Sequence, residues 1–533
     1  MFAIAFLIGL YANLILILGL MGLYYQPILA IFTACYLFMA VLAWPLYDEE
    51  INLRRIKEDI LGHIKIHRIW VLIIIASIGV MIIGALAPET AFDSLWYHLT
   101  LPKLYLNEHG IRFVSGGLLH YSGMPKLAEL LYVPALSFHS EILAKLIHMS
   151  FGLLTGIVVY ILGKRYTDRR FGIIALVIFL GNIVVLWEAT TAFVDLARAF
   201  FEIMAFWGLI EFIQKDKKKW LIESALLMGL AIETKLIGVT TLVVYCLVIL
   251  FFYKKVPIAF RIKSMVMYAF FAMLIPLPWL IFAYIHTGNP LYPLFSLYLV
   301  DLGKATLQFP MVVLSPFKVF ISSPDPLSPV YLLLAPLFFM IRKNLSQNEK
   351  LLFITIAMAL VAWMVTPQTG GGRFMVPYLP LFSIASSVIL YRTQQFKSVA
   401  LYSLIAIIAV SGISLIYRGV ASTKYIPVLF GLESRQEFLS KNLDFNFGDY
   451  YDTDGMIKEL VKPGSTVLLY GFHNLYYMDV SHIDSTWVKV GDKFDFIATQ
   501  NTALPARFKY WVPVYKNGST GVTLYSANQT WIY

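Results

Sequence analysis

Residues 85–126, ALAPETAFDSLWYHLTLPKLYLNEHGIRFVSGGLLHYSGMPK, crowd three carboxylates, three histidines, two lysines and an arginine into one connector. Long apolar runs stand on both sides, at 69–87 and 142–163. The contrast decides the fold class: the flanking runs approach the roughly 20 residues needed to cross a hydrocarbon core, whereas a segment this polar cannot enter it. Within the connector, Phe92, Leu95, Trp96, Leu99, Leu104 and Leu106 alternate with polar groups. That is the pattern of short helices lying in the membrane interface, with Trp and Tyr as anchors at headgroup level.

Working outward, the same alternation of apolar run and polar connector continues through the first four fifths of the 533 residues. The chain is 59% hydrophobic and only 14% charged, against roughly a quarter charged in a soluble domain. An ordinary cytosolic enzyme is excluded, and a polytopic α-helical membrane protein is expected. Apolar segments near 2–23, 28–46, 69–87, 142–163, 171–187 and 190–212 are followed by two short ones within 220–253, broken at Glu233–Lys235, and by others near 266–285, 329–341, 351–365, 374–391 and 399–417.

The formal net charge of +10 sits in the connectors, in groups such as Arg54, Arg55, Lys57, Lys65 and Arg68, or Lys164, Arg165, Arg169 and Arg170. Loops of this kind stay cytoplasmic, and placing all of them on one side yields about thirteen spans. The amino terminus is then inside, while the loop 88–140 and the carboxy terminus face outward. A nucleic-acid partner is not expected from charge so placed. Cys35 and Cys246 both fall inside apolar segments, so no disulfide framework is implied. A bacterial or archaeal plasma membrane fits these features.

Two domains are expected: a transmembrane module over 1–417, carrying the outer loop 88–140, and a small extracytoplasmic α/β domain over 418–533. In the latter, helices near 433–442 and 455–461 precede a KPGS turn and strands near 467–470, 494–499, 510–515 and 522–525.

Four ionisable residues stand out. Asp93 follows an apolar span directly, where a carboxylate is costly unless it has a partner or a task. Asp195, Arg198 and Glu202 share one face of a membrane segment. Lys235 lies in the break of a discontinuous span, a setting that suits anion binding. Arg373 follows a run of glycines, which let backbone approach a neighbour closely. Each also has a plainer reading: a helix cap for Asp93, a structural ion pair with Arg198 for Asp195, snorkelling to the headgroups for Lys235 and helix anchoring for Arg373. Phosphate-binding glycine loops, zinc-binding His and Cys spacings and nucleophile elbows are missing from the sequence.

The order of the stretches AFDSLWYHL, AFVDLARAFF, GLAIETKLIG, HTGNPLYP and RFMVPYLPLF resembles the GT-C glycosyltransferases, in particular the protein O-mannosyltransferase and aminoarabinose-transferase group (glycosyltransferase family 39-like). The resemblance runs over nearly the whole chain. It implies a GT-C fold and transfer, with inversion, of a sugar from a polyprenyl-phosphate donor to an acceptor hydroxyl at the outer face. The acceptor class, whether protein, lipid or glycan, stays open. By the same resemblance Asp93 is the general base and Asp195 a second catalytic carboxylate. Lys235, Arg373 and Lys103 would hold the donor phosphate, and Tyr97, His98 and Glu89 would line the acceptor or sugar site. Many relatives carry an Asp-Glu pair in the first outer loop, whereas Ser94 follows Asp93 here and the nearest glutamate is Glu89. Some relatives use a divalent metal and others do not, and no metal is assigned. A lipid-linked glycan transporter would show internal repeats, and none is visible. A non-catalytic membrane scaffold is the other alternative. Direct positioning for attack requires Asp93 to lie within about 10 Å of a basic candidate.

Overall fold

The computed structural model describes residues 1–43, 68–296, 317–320, 323, 325–366 and 371–533. The basic group Arg54, Arg55, Lys57 and Lys65, the first glycine of GGGRF and most of the stretch 297–322 lie outside the described residues.

Helices α1 (Phe2–Leu20), α2 (Gln26–Ala43) and α3 (Arg68–Leu86) lead to the outer loop. There, a wide turn at Ser94–His98 runs into α4 (Thr100–Asn107), and α5 (Leu127–Ser137) follows. Next come α6 (Glu141–Tyr166), α7 (Arg169–Leu180), α8 (Ile183–Glu188), α9 (Asp195–Lys215), α10 (Lys218–Thr234) and α11 (Val239–Phe252). The bundle is completed by α12 (Ile258–Leu274), α13 (Leu277–Thr287), α14 (Gln347–Val365), α15 (Leu379–Thr393) and α16 (Lys397–Ser422).

Among the described residues six helices are long and apolar enough to cross a membrane, or seven if the pair α12 and α13, bent by 64°, makes one span. About thirteen were expected from the sequence. Two of the expected segments are not single long helices, for local reasons. The segment near 171–187 is two helices, because the Asn182 side chain accepts from Val184 N–H and starts α8 afresh. The run near 329–341 is chopped into short turns around Pro336. The break expected at Glu233–Lys235 is present: α10 ends at Thr234, and a tight turn over Leu236–Gly238 leads into α11.

Helix α9 is the buried axis of the bundle, with Asp195, Arg198, Glu202 and nearly every apolar side chain of its first four turns inside. It packs closely on α10 because Gly208 faces Ser224; a Cβ on Gly208 would come within 2.9 Å of the Ser224 Cβ. Small residues at a membrane helix contact permit such an approach.

The C-terminal part adds α17 (Arg435–Asn442), started by a capping box from Ser434 and Glu437, and a sheet of β1 (Val467–Tyr470), β2 (His482–Asp484), β3 (Lys493–Gln500), β4 (Val512–Asn517) and β5 (Val522–Ile532). The strand order is β2-β1-β3-β5-β4. β1 is parallel to β2 and β3, and β5 is antiparallel to β3 and β4. This sheet domain sits on the outer loop. The Tyr477 hydroxyl donates to the Glu89 carbonyl at 2.8 Å, Tyr476 N–H to the Leu95 carbonyl at 3.3 Å, and Arg435 pairs with Glu141 at 2.7 Å.

Asp484 ends β2 and is buried, 2% exposed, and burial pushes its carboxyl up to about 6. The folded chain therefore holds this proton at pH values where the unfolded chain, near the ordinary 3.8, has lost it. Stability falls as pH rises from about 4 to about 6, by up to about 3 kcal/mol. Thermal melts across that range check this: the wild-type melting temperature declines relative to Asp484→Asn, which lacks the titration.

Candidate active site

The Asp93 carboxylate caps no helix. The five-residue turn that follows, closed by Leu99 N–H to the Ser94 carbonyl at 2.9 Å, is wider than an α-turn, a local irregularity that clusters at functional sites. Instead Asp93 Oδ2 accepts from Arg373 Nη2 at 2.6 Å and from the Tyr97 hydroxyl at 3.4 Å.

Arg373 is fixed from the opposite side of the site by the glycines before it. Gly371 has φ +54°, and a Cβ there would meet Asp325 Oδ1 at 2.5 Å. Only glycine allows that approach. It brings Arg373 N–H to Asp325 Oδ2 at 2.6 Å and Gly372 N–H to the Ser323 hydroxyl at 3.1 Å. The guanidinium lies 4.7 Å from the centre of the Phe193 ring, and its Nε faces Asp195 Oδ2 at 3.8 Å.

Asp195 opens α9 and is 1% exposed. Its Oδ1 accepts from Lys235 Nζ at 2.7 Å, and Lys235 rests 4.7 Å over the Phe374 ring. The break after α10 leaves Lys235 extended, with φ −154° and ψ 117°, at the start of the turn into α11. Arg198 has a different partner: its Nε donates to Glu202 at 2.6 Å, and its Nη2 reaches the Tyr378 hydroxyl at 3.4 Å. The pair Asp195 with Arg198 is thus not the arrangement adopted.

Asp93, Arg373, Asp195 and Lys235 therefore form one continuous chain of alternating charge, at side-chain exposures of 17%, 13%, 1% and 15%. Tyr121 closes the side of Asp93 with its ring 4.3 Å from Tyr97. Burial, with the negative charge of Asp93 adding to it, pushes the Tyr121 hydroxyl up to about 12, and the same causes raise Tyr97. Both phenols are neutral hydrogen-bond donors at physiological pH.

Three other residues expected at the site have different neighbours. Lys103 gives its donors to the carbonyls of Tyr476 and Met478 at 2.7 and 3.1 Å and to Asp479 at 2.7 Å, on the sheet domain. His98 is buried against Glu129 at 2.9 Å. Glu89 accepts from Thr90 and Ala91 N–H at 2.8 Å and from Ala192 N–H at 2.7 Å, so it ties the outer loop to the segment before α9.

Sequence reasoning also missed residues that the structure brings in. Glu188, the last residue of α8, is fully buried, and neither carboxylate oxygen has a hydrogen-bond partner among the described residues. His148 Nε2 lies 3.8 Å from it, but that nitrogen accepts from Leu196 N–H at 3.2 Å while Nδ1 donates to the Glu188 and Thr191 carbonyls. The imidazole is therefore the neutral tautomer. Asp325 came from the irregular outer stretch, and only the Gly-Gly sequence beside Arg373 hinted at a close backbone neighbour. Among the described residues no three His, Cys, Asp or Glu side chains are grouped to hold a metal ion, so no chemical step is assigned to one.

The family model described as dolichyl-phosphate-mannose-protein mannosyltransferase matches residues 117–289, a stretch that contains Asp195 and Lys235. No curated protein matches the chain. Among solved structures, ArnT from Cupriavidus metallidurans in the apo state is 14% identical, with a TM-score of 0.56 over 86% of this chain and 97% of that one. The same protein bound to undecaprenyl phosphate gives 14% identity and a TM-score of 0.57 over the same shares. At this identity the structural likeness speaks for the fold alone. The chain is thus similar over residues 117–289 to the mannosyltransferase family, and it shares the fold of ArnT over most of its length.

Proposed function

We propose that the protein transfers a sugar from a polyprenyl-phosphate donor to an acceptor hydroxyl at the outer membrane face, with inversion at the anomeric carbon. The observation that carries this reading is the charge chain Asp93–Arg373–Asp195–Lys235, with 2.6, 3.8 and 2.7 Å between successive groups. Two cations held beside a carboxylate in a partly buried site suit a reaction in which a lipid phosphate leaves and a hydroxyl loses its proton.

The acceptor oxygen attacks the anomeric carbon as its proton passes to Asp93, and the bond from that carbon to the phosphate oxygen breaks. The electron pair departs with polyprenyl phosphate. Arg373 offers this phosphate a planar fork and Lys235 a point charge. Their contribution is the stabilisation of charge developing on the leaving oxygen. Tyr97 orients Asp93 through its hydroxyl.

In the resting arrangement Arg373 holds the Asp93 carboxylate at 2.6 Å and occupies the oxygen that would take the acceptor's proton. The donor phosphate competes for the same guanidinium. Its arrival draws Arg373 off Asp93 and frees the base when the leaving group is in place. Asp195 keeps Lys235 oriented meanwhile through the 2.7 Å contact. Lys103, His98 and Glu89 shape the site through the outer loop and the sheet domain and do not touch the donor. The basic connectors set the orientation, with the amino terminus cytoplasmic and the sheet domain outside.

Native mass spectrometry with added undecaprenyl phosphate tests the phosphate site. Lys235→Met is expected to weaken binding by about 10- to 100-fold, the range for one charge-assisted hydrogen bond. Binding equal to wild type by a folded Lys235→Met protein would remove Lys235 from the donor site.

A further inference from the structure

Beside the charge chain, lined in part by α16, lies a separate cavity of about 270 Å³. Its walls include Val184 and Trp187 from α8, Asp325, and Tyr417 and Arg418 from α16. Tyr417 is 61% exposed, so the mouth opens toward the lipid-facing side of that helix.

The charges in this cavity are not paired with each other. Arg418 Nε is buried and makes no hydrogen bond among the described residues. Lys424 adds a second positive charge that acts on Arg418 and sits 5.1 Å over the Tyr425 ring. Lys145 approaches the same ring from the other side at 6.0 Å, with its ammonium spent on the Ala87 carbonyl at 2.8 Å. Glu89 is the carboxylate that acts on Lys424 and Lys145, whereas Arg418 is in no ion pair with a carboxylate among the described residues. A guanidinium Nε shut from water without an acceptor is costly unless an anion reaches it.

The lining also includes one carboxylate, Asp325. Asp325 accepts from Arg373 N–H at 2.6 Å and from the Ser323 hydroxyl at 3.2 Å, which leaves part of its roughly four acceptor positions unused. Trp187 and Tyr417 line the cavity with Arg418 and Asp325, and aromatic faces favour a cation. A space below the ~300 Å³ at which pockets for whole ligands begin suits a headgroup, not a saccharide chain.

We propose that this cavity binds a phosphate ester bearing a primary amine, of the phosphoethanolamine type, with the phosphate on Arg418 and the ammonium on Asp325 between Trp187 and Tyr417. Because Asp325 also holds the backbone of Arg373, an occupant steadies the loop that presents Arg373. The site is distinct from the donor site, and its test does not depend on glycosyl transfer.

The protein in lipid nanodiscs, exposed to equal amounts of phosphatidylethanolamine, phosphatidylglycerol and phosphatidylcholine, is stripped by detergent, and retained lipid is measured by native mass spectrometry. Phosphatidylethanolamine is expected to be retained about tenfold over the other two, and the excess to vanish in Arg418→Gln. Val184→Phe, which fills the cavity from the other wall, gives the same loss should Arg418→Gln fail to fold. Displacement of retained lipid by millimolar O-phosphoethanolamine would assign the site to the soluble ester, and no displacement to the lipid headgroup; both support the chemistry. Equal retention of phosphatidylglycerol, or retention unchanged in both variants, overturns the proposal.

Discussion

Arg373→Gln is expected to lower sugar transfer by about 10²- to 10³-fold, the usual effect of removing one preorganised donor to a developing oxyanion. The loss should appear in both kcat and the donor KM, because the guanidinium serves the bound phosphate as well as the leaving group. The same change leaves Asp93 without its cation and Asp195 with Lys235 alone. Breaking a buried pair by removing one partner costs about 3–5 kcal/mol, and the 13–17% side-chain exposure of Arg373 and Asp93 puts this case at the low end. Arg373→Lys separates the effects: the charge returns and stability with it, but the planar fork does not, so transfer stays depressed. Thermal melting and steady-state kinetics on the three proteins check this, and an Arg373→Lys enzyme as fast as wild type would reduce Arg373 to a structural ion-pair partner.

Asp93→Asn has the opposite pattern. Removing the base is expected to cost about 10²- to 10⁴-fold in transfer, while the 2.6 Å partner that holds Arg373 away from the phosphate disappears. Affinity for polyprenyl phosphate should therefore rise, by about tenfold for the ~1.4 kcal/mol of released competition. A carboxylate that only repels the donor and does nothing else would give tighter binding with faster turnover. Tighter binding with lost turnover is the signature of a base that shares its cation with the leaving group.

The membrane class, the break before Lys235 and four of the five strands of the C-terminal sheet were legible in the sequence, because apolar length, a polar interruption and β-branched runs are local signals. The number of spans was less legible. Apolar content cannot tell one helix from two joined at Asn182, where a side-chain cap restarts the backbone. The short strand His482–Asp484 carries no alternation to mark it.

For the site, Asp93, Asp195, Lys235 and Arg373 each announced themselves as an ionisable group at or in a membrane segment. Their order along the chain matched a known family, and the structure brings the four together. Pairing was beyond the sequence: Arg198 stood one turn from Asp195, yet α9 turns it toward Glu202. Lys103, His98 and Glu89 had the right chemistry and the right loop, but their partners come from 31 to 376 residues away or from the adjacent backbone. Glu188 directly follows an apolar segment in the sequence, and only burial without a partner marks it out.

The most direct measurement is turnover in membrane vesicles that contain the protein and its native acceptors, supplied with a radiolabelled polyprenyl-phosphate sugar. Sugar transferred and free polyprenyl phosphate released are counted together, for wild type and for Asp93→Asn shown to be folded by its melting curve. The account predicts one polyprenyl phosphate released per sugar transferred in the wild type, and loss of both in the variant. Equal turnover in the folded Asp93→Asn protein would contradict it.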